Sequence, residues 1–395
     1  MRIVSIGDIG PLDGMLHVGD EAMFEAMAIE LRARGADHIT GLSSNLLDSA
    51  DRYGIDAIQN FGFTGGDRAA SEQRMADILD GRIQPRDPAV AIVHAVQTAD
   101  VVVVAGGGNM TSIWPSHIFE RATLGALAVA SGTPLVVSGQ TLGPVLDEPD
   151  AELLAGLLRS ADLVGVRESD SLAVAERLGA TAQLHADDAS FLADLVPSAA
   201  PLPPFPYCLV TLSTHTGAGD RTAVVEAVAR MLDRVAASTG LGIVFSGHFA
   251  PFGGSPRGDE VIHELVRSAM EQPSGTARAQ SAAESAALAR GASLVVSSRY
   301  HPVVFAVSGG VPSIGIPVDE YTTTKLSGAL GNFGQSSLLP LEALLDDDGP
   351  GLALDVWQDR AAIRAAGLER AEEHRASTSA WWDAVAALAV SVQRS

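Results

Sequence analysis

The sequence predicts an α/β protein built of two Rossmann-like domains that face a cleft. Short apolar runs alternate with helix-like segments, as expected for βαβ units and parallel sheets. At 395 residues the chain is too long for one ordinary core. Five prolines at 196–206 cannot sustain a helix or an inner strand. This proline-rich segment is therefore the predicted linker between the two domains.

The first domain is predicted to span residues 1–195. The helix after its first strand is expected to begin with Asp20 as cap. The glycine-rich loop before that helix is either a wall of an acceptor site or plain turn chemistry. Residues 64–90 are predicted to form a loop with a short helix. The predicted strands lie near 2–6, 38–43, 100–105, 134–138, 162–166 and 181–185.

The second domain is predicted to span residues 207–350, and residues 351–395 form a helical tail. The tail carries Trp357, Trp381 and Trp382. These large apolar side chains predict that the tail packs back on the first domain, although a contact in a homo-oligomer would use them equally well. The predicted strands of the second domain lie near 207–213, 242–247, 276–280, 293–298 and 312–317.

The charge of the chain argues against nucleic acid as a partner. The sequence has 48 acidic residues against 26 Lys and Arg, a formal net charge of −22. Nucleic-acid binding requires a basic face, which this balance disfavours. An acidic protein also repels a small anion at long range, so capture of an anion requires a local concentration of basic side chains.

Cysteine content and hydropathy exclude further classes. Cys208 is the only cysteine, so neither a disulfide framework nor a multi-cysteine zinc site is expected, and no metal is predicted. Its apolar surroundings predict a buried structural thiol. The N-terminus lacks the basic and apolar regions of a signal peptide. The uncharged residues 122–146 are divided by glycine and proline, so no membrane span is expected. A cytoplasmic location is the resulting expectation.

The segment 297–325 contains the clearest functional signal. Arg299 and His301 follow an apolar run that reads as a buried strand, and Pro302 marks the start of a helix. A guanidinium, an imidazole and a helix N-terminus together make an anion receptor. Lys325 is the only lysine of the chain. Either it survives by chance, or the site needs a compact ammonium that arginine cannot replace.

Other candidate residues follow the strands of the first domain, because ligands bind at the carboxyl ends of parallel strands. The glycines Gly107 and Gly108 allow close approach of a ligand, or form a sharp turn. Asn109 offers a donor and an acceptor, and Gln140 lies in an uncharged segment suited to sugar hydroxyls. The first strand–helix turn lacks G-x-G-x-x-G spacing, so no nicotinamide or flavin is expected.

Four charged or titratable residues remain open between two interpretations. Arg167 either contributes a guanidinium to a site or pairs with a neighbouring carboxylate on the surface. Asp187 and Asp188 either supply a general acid or base or merely end a strand. His248 also follows a predicted strand and would reach the cleft, although an isolated loop histidine is more often incidental.

Taken in order, these motifs resemble the polysaccharide pyruvyl transferase family, and they extend over nearly the whole chain. The matching pieces are HVGDEAM at 17–23, AGGGN at 105–109, SGQTLGP at 138–144, VRESDS at 166–171, HADDASF at 185–191, SSRYHPVVFAVSGGVPSIGI at 297–316 and YTTTK at 321–325. One departure is the run from Asn109 to Ser112, where many relatives carry an acidic residue. Either that role has moved or the acceptor differs.

The resemblance implies a GT-B-like fold and transfer of a pyruvyl group from phosphoenolpyruvate to a sugar, as a cyclic ketal. It associates Arg299 and His301 with the donor. We expect His301 as the acid or proton shuttle and Asp188 as a candidate base, with no cofactor besides the donor substrate. The candidate substrate-binding residues are Arg167, Lys325, Asn109, Gly107, Gly108, Gln140, Asp20, Ser298 and His248.

Two other functions compete with this expectation. A GT-B glycosyltransferase that uses a nucleotide sugar would share the fold and an anion site in the second domain. A catalytically silent family member would bind a glycan or a partner enzyme. The acceptor could be an oligosaccharide, a glycolipid or a lipid-linked glycan. A lipid-linked acceptor would bring the protein to the membrane surface as a peripheral protein, although the sequence has no amphipathic basic helix.

Overall fold

The structure is a computed structural model that describes residues 1–11, 13–64, 66–198 and 200–392. Residue 199 of the predicted linker and residues 393–395 of the predicted tail lie outside the described residues. The strands are β1 (Arg2–Ile9), β2 (Met15–His17), β3 (His38–Ser43), β4 (Asp56–Gln59), β5 (Val101–Val104), β6 (Gly107–Met110), β7 (Leu135–Leu142), β8 (Leu163–Val166), β9 (Gln183–Leu184), β10 (Tyr207–Thr211), β11 (Gly242–Phe245), β12 (Phe249–Pro251), β13 (Ser274–Thr276), β14 (Leu294–Ser297) and β15 (Ser313–Gly315).

Helices alternate with these strands along the chain. They are α1 (Val18–Ala33), α2 (Leu46–Tyr53), α3 (Arg68–Leu79), α4 (Pro88–Gln97), α5 (Pro115–Ser131), α6 (Glu148–Ser160), α7 (Ser169–Arg177), α8 (Leu192–Leu195), α9 (Arg221–Thr239), α10 (Asp259–Ala269), α11 (Ala282–Gly291), α12 (Tyr300–Val307), α13 (Glu320–Asn332), α14 (Leu341–Leu345), α15 (Gly349–Gln358) and α16 (Arg360–Val392).

The chain divides into two compact units, and neither unit is a continuous stretch of sequence. The first unit comprises Met1–Leu12, Met23–Asp188 and Ala376–Ser395. The second unit comprises Asp13–Ala22 and Ala189–Arg375. Helix α16 therefore contributes residues to both.

The first unit is built on an eight-stranded sheet with the order β4-β3-β1-β5-β7-β8-β9, and β6 pairs with β7. All of its strand pairs are parallel. Strand β5 consists of four buried valines, as expected for a strand covered on both faces. Trp381 and Trp382 are buried in the core on one face of this sheet. This burial confirms the expectation that the tail packs back on the first domain.

The second unit contains a five-stranded parallel sheet with the order β13-β11-β10-β14-β15. Its apolar core includes the inner faces of β10 and β14, and Trp357 packs against that core. A separate antiparallel pair, β2 with β12, joins the segment 13–22 to this unit. The predicted fold class, α/β with two Rossmann-like parallel sheets, is confirmed.

Four local predictions need correction. Helix α1 begins at Val18, so Asp20 lies within its first turn instead of capping it. Residues 107–110, which are absent from the predicted strands, form strand β6. The segment 64–90 contains the twelve-residue helix α3 and the start of α4. The strand predicted at 276–280 is β13, which ends at Thr276. These errors arise because pairing with a neighbouring strand and capping depend on tertiary contacts.

Candidate functional site

The candidate residues fall into two groups, one in each unit. Because each unit is a separate compact body, each group is described by itself. The second unit contains Asp20, His248, Ser298, Arg299, His301 and Lys325. The first unit contains Gly107, Gly108, Asn109, Gln140, Arg167 and Asp188.

Arg299 lies at the carboxyl end of β14 and is the residue that precedes α12. Its guanidinium is held by the carboxylate of Asp259. Nε lies 3.1 Å from both carboxylate oxygens, and Nη2 lies 2.5 Å from Oδ1. The side chain is 32% exposed, whereas that of Asp259 is fully buried. Within the described chain Nη1 of Arg299 has no hydrogen-bond partner, so this nitrogen is available to a ligand.

Asp259 is the first residue of α10, and its carboxylate also accepts two backbone N–H groups. These donors are the amides of His248 and Phe249, at 3.0 and 2.8 Å from Oδ2. A buried carboxylate needs such partners to remain charged. Asp259 therefore fixes the guanidinium of Arg299 and the loop after β11 at the same time. Sequence reasoning missed this residue, because no local pattern links positions 259 and 299.

His301 is the second residue of α12 and is mostly buried. Its imidazole packs against the backbone of Gly19, where a Cβ atom would overlap the ring. The rings of Tyr300 and Phe305 lie 4.9 and 5.9 Å from that of His301, measured between centroids. Asp20 follows Gly19 directly, so the segment before α1 and the start of α12 form one local structure.

Two further histidines of the second unit lie close to this group and are uncharged near neutral pH. Burial, followed by the charges of His301 and Arg299, lowers the pKa of His248 well below its usual value. Nδ1 of His248 is buried and has no partner among the residues that the structure describes. Burial lowers the pKa of His263 to about 4, and its Nε2 accepts the amide hydrogen of Leu212 at 2.9 Å.

Lys325 lies on α13 and packs between two tyrosine rings. Its Nζ is 5.0 Å from the ring centroid of Tyr300 and 4.6 Å from that of Tyr321, and it donates to the Tyr321 hydroxyl at 3.0 Å. Because Tyr300 also contacts His301, the only lysine of the chain belongs to the same group as Arg299 and His301. Ser298 has a different setting, since its Oγ accepts the amide hydrogen of Ser213 at 2.8 Å and links two strand ends.

Arg167, in the first unit, is completely buried, which excludes the surface alternative. Its Nη1 donates to Asp187 at 2.7 Å, and its Nε donates to the hydroxyl of Thr141 at 2.8 Å. Glu168 lies 3.6 Å from Nε. A buried guanidinium of this kind is stable because carboxylates surround it. Arg167 thus balances the charges of Asp187 and Glu168, the carboxylates near the carboxyl ends of β9 and β8.

Asp188 lies next to this pair and has an unusual protonation equilibrium. Its Oδ2 accepts a hydrogen bond from Ser138 at 2.8 Å, while its Oδ1 is buried without a partner among the described residues. Burial, together with the charge of Asp187, raises the pKa of Asp188 to about 7. A Cβ atom on Gly106 or Gly139 would lie 3.0 or 2.6 Å from Oδ2. These glycines therefore leave room for a carboxyl group that exchanges protons near neutral pH.

The amide side chains of Gln140 and Asn109 lie beside β6. Nε2 of Gln140 donates to the carbonyl oxygens of Ala105 and Ser138, at 2.5 and 3.1 Å. Nδ2 of Asn109 donates to the carboxylate of Asp8, a residue that sequence reasoning missed. Gly107 and Gly108 are part of β6, and Gly107 is aligned with Gln140 on β7.

One groove of the first unit lies away from these residues. Its volume is about 620 Å³, and it is lined by the amino-terminal parts of β1 and β3 together with α4. None of the candidate residues lines it. Within the described chain no helix has the length and apolar character to cross a membrane. The same residues contain no group of three or more His, Cys, Asp or Glu side chains arranged to hold a metal ion.

Comparison with solved structures establishes the fold. The glycotransferase of kitacinnamycin is 15% identical over 98% of both chains, with a TM-score of 0.59. The calicheamicin glycosyltransferase CalG4 is 16% identical over 98% of both chains, with a TM-score of 0.54. MnaA of S. aureus, solved with UDP, is 11% identical over 90% of this chain and 88% of its own, with a TM-score of 0.59. At these identities the similarity shows a GT-B-like fold and nothing about activity.

The sequence itself carries the family relationship. No curated protein matches the chain. The family model described as polysaccharide pyruvyl transferase matches residues 17–320, more than half of the chain. This match includes the segment before α1, both groups of candidate residues except Lys325, and the start of α13. The protein belongs to the polysaccharide pyruvyl transferase family.

Proposed function

We propose that this protein transfers the pyruvyl group of phosphoenolpyruvate to two hydroxyls of a sugar, forming a cyclic ketal and releasing phosphate. The observation that carries the proposal is the position of Arg299 at the start of α12, beside His301 and fixed by Asp259. Phosphoenolpyruvate carries a carboxylate and a phosphate, so its site needs several cationic or N–H-rich contacts. Membership of a pyruvyl transferase family supports the same reaction class.

The proposed donor contacts come from the cationic and N–H groups around the start of α12. Arg299 and Asp259 form a formally neutral pair, and Nη1 of Arg299 would donate to the carboxylate of the donor. Lys325 and the first N–H groups of α12 would hold the phosphate, where the helix dipole adds a favourable field. A local cationic group of this kind offsets the repulsion expected from a protein with a net charge of −22.

The chemistry requires an acid and a base. We assign His301 to protonate the methylene carbon of the donor, which makes the adjacent carbon electrophilic. A sugar hydroxyl attacks that carbon and gives its proton to a base, a role that the Asp188 carboxylate suits because its pKa is about 7. The bond between that carbon and the phosphate oxygen then breaks, and the second hydroxyl attacks the same carbon to close the ketal. One hydroxyl proton replaces the one delivered to the methyl group, and the other leaves on phosphate, so no net proton is consumed.

The proposal is tested by phosphate release from phosphoenolpyruvate, with and without uncharged sugars. We expect release only when a sugar is present, and loss of release in Arg299→Ala and His301→Ala. The matched control is Arg230→Ala, which removes an exposed arginine of α9 paired with Asp347. Stabilisation of the protein by UDP or dTDP, without any response to phosphoenolpyruvate, would instead support a glycosyltransferase.

A further inference from the structure

The first unit contains two buried amide oxygens that have no donor. Asn109 is 8% exposed and Gln140 is 1% exposed, and in both the side-chain oxygen lacks a partner among the described residues. Their nitrogens are committed, that of Gln140 to two carbonyl oxygens and that of Asn109 to Asp8. Because the nitrogens are fixed in this way, the orientation of each amide is fixed as well. Buried acceptors without a donor are unusual in native proteins.

Both oxygens face the same position over β6. A Cβ atom on Gly107 would lie 3.2 Å from Oε1 of Gln140 and 3.5 Å from Oδ1 of Asn109. A Cβ atom at 3.2 Å from Oε1 would be tighter than an ordinary contact, so glycine lets both oxygens lie close to the backbone of β6. A ligand group that meets these acceptors must bring hydrogen-bond donors, and it must carry no negative charge. Hydroxyl groups meet both requirements.

A third polar group lies beside Asn109. The carboxylate of Asp8 also accepts from Nη2 of Arg121 at 2.9 Å, and His117 lies 3.3 Å from the same carboxylate oxygen. Burial raises the pKa of Asp8, but the charge of Arg121 and its hydrogen bond to the carboxylate outweigh burial, and the pKa falls well below its usual range. Asp8 and Arg121 are therefore both charged, and their charges cancel.

The contact between Arg121 and His117 fixes the hydrogen on the imidazole. Nη1 of Arg121 lies 3.0 Å from Nδ1 of His117, whereas Oδ1 of Asp8 lies 3.3 Å from the same nitrogen. A guanidinium can only donate, so Nδ1 must accept and the ring hydrogen belongs on Nε2. His117 thus carries its N–H donor on Nε2, and both His117 and Asn109 contact the carboxylate of Asp8. Its side chain is 35% exposed and within reach of a ligand from solvent.

An exposed aromatic ring lies at the start of the same helix. Trp114 directly precedes α5, its carbonyl oxygen accepts the amide hydrogen of His117, and it is 41% exposed. Sugars present an apolar C–H face and a polar edge of hydroxyls. An indole face together with a hydrogen-bond donor and acceptor matches both parts of such a ligand.

We propose that Trp114, His117 and Asn109 form the subsite that holds an uncharged sugar. The indole packs on the C–H face, Nε2 of His117 donates to one hydroxyl oxygen, and Oδ1 of Asn109 accepts from a neighbouring hydroxyl. Asp8 and Arg121 are positioning residues for the amide and the imidazole. The assignment rests on the proposed function insofar as this sugar is the pyruvyl acceptor. The cancelled charges of Asp8 and Arg121 favour a neutral sugar over a uronic acid or a sugar phosphate.

The test is direct binding of the methyl glycosides of galactose, glucose and mannose, measured by saturation-transfer NMR and by tryptophan fluorescence. At least one glycoside is expected to bind the wild-type protein. Trp114→Ala and His117→Ala each weaken binding about tenfold, and His117→Gln, which keeps a donor near the position of Nε2, retains more of it. The matched control, His94→Ala, removes an exposed histidine of α4 and leaves binding unchanged.

The outcomes separate this inference from the proposed function. If no glycoside binds the wild-type protein, or if binding is unchanged in Trp114→Ala and His117→Ala, the subsite assignment is wrong, even when phosphate release from phosphoenolpyruvate still depends on a sugar. If a glycoside binds through Trp114 and His117 while phosphoenolpyruvate is never consumed, the subsite stands and the proposed reaction fails. Methyl glucuronide is the charged comparison, and tighter binding of it than of the neutral glycosides contradicts the assignment.

Discussion

The imidazole of His301 lies against the bare backbone of Gly19, so two motifs from opposite ends of the sequence form one contact. Gly19 belongs to the segment 13–22, which joins the second unit through the β2–β12 pair and through the amide of Val18, which donates to the carbonyl of His248 at 3.0 Å. The absence of a side chain at position 19 sets the position of the ring proposed to protonate the donor.

Replacement of Gly19 by alanine is expected to displace His301. The added methyl group would overlap the imidazole, and a displacement of about 1 Å can lower a rate roughly 10²-fold. The measurement is kcat for phosphate release at saturating phosphoenolpyruvate. Gly351→Ala, at a helical glycine with open space around it, is the matched control and should keep the wild-type rate. Equal rates for Gly19→Ala and the control would contradict the assigned contact.

Replacement of Arg299 by lysine tests the geometry of the guanidinium. A lysine keeps the charge, but it cannot hold Asp259 with two nitrogens and still present a third to the donor. Loss of one charge-assisted hydrogen bond predicts roughly ten- to hundredfold weaker binding of phosphoenolpyruvate by calorimetry. Arg230→Lys, on the exposed surface of α9, serves for comparison. Undiminished affinity in Arg299→Lys would show that charge alone suffices.

Replacement of Asp259 by asparagine separates positioning from binding. The change removes the charge that fixes Arg299 but keeps a side chain of similar shape. We expect the affinity for phosphoenolpyruvate to fall, because the guanidinium loses its fixed orientation. The thermal midpoint should fall as well, since Asp259 also accepts the amides of His248 and Phe249. A variant with normal affinity and only a lower midpoint would assign Asp259 a purely structural role.

The pKa of Asp188 predicts how stability depends on pH. Its pKa is about 7 in the folded protein, against 3.8 for a solvated aspartate carboxyl. Between these values the folded state binds a proton that the unfolded state releases, so this group makes the free energy of unfolding fall as pH rises. The slope is at most about 1.4 kcal/mol per pH unit. Asp188→Asn should remove this contribution, and urea unfolding at pH 5, 6 and 7 measures it.

The matched control for that series is Asp51→Asn, which changes an exposed carboxylate of α2. Its free energy of unfolding should run parallel to that of the wild-type protein over the same pH range. If Asp188→Asn also runs parallel to the wild type, Asp188 is ionised throughout, and its assignment as a base that accepts a proton near neutral pH must be abandoned.

Cys208 is expected to be inert while the protein is folded. It is fully buried in β10, and burial raises the pKa of its thiol to about 12. Since the thiolate is the reactive form, a thiol reagent should modify the protein only as fast as it unfolds. Titration with a chromogenic disulfide, in buffer and in urea, checks this. Rapid modification in buffer would place the thiol at the surface.

The sequence alone predicts the strands that are apolar throughout, because a run such as β5 has no other place than the middle of a sheet. It also identifies the start of α12, where a basic pair precedes a proline. It does not predict β6, since glycine has little strand propensity and this strand exists only through its pairing with β7. Asp259 and Asp8 escape prediction because their partners Arg299 and Arg121 are distant in sequence and only the folded chain brings them together.

Helix α16 limits how the protein can be divided into separate fragments. Its residues 376–392 belong to the first unit, and Trp382 is fully buried there. A fragment that stops at Asp188 would therefore expose the apolar face that this tryptophan covers. Joining residues 376–392 to the end of such a fragment through a flexible linker would cover that apolar face again. Only with this helix attached do we expect the first unit to remain in solution on its own.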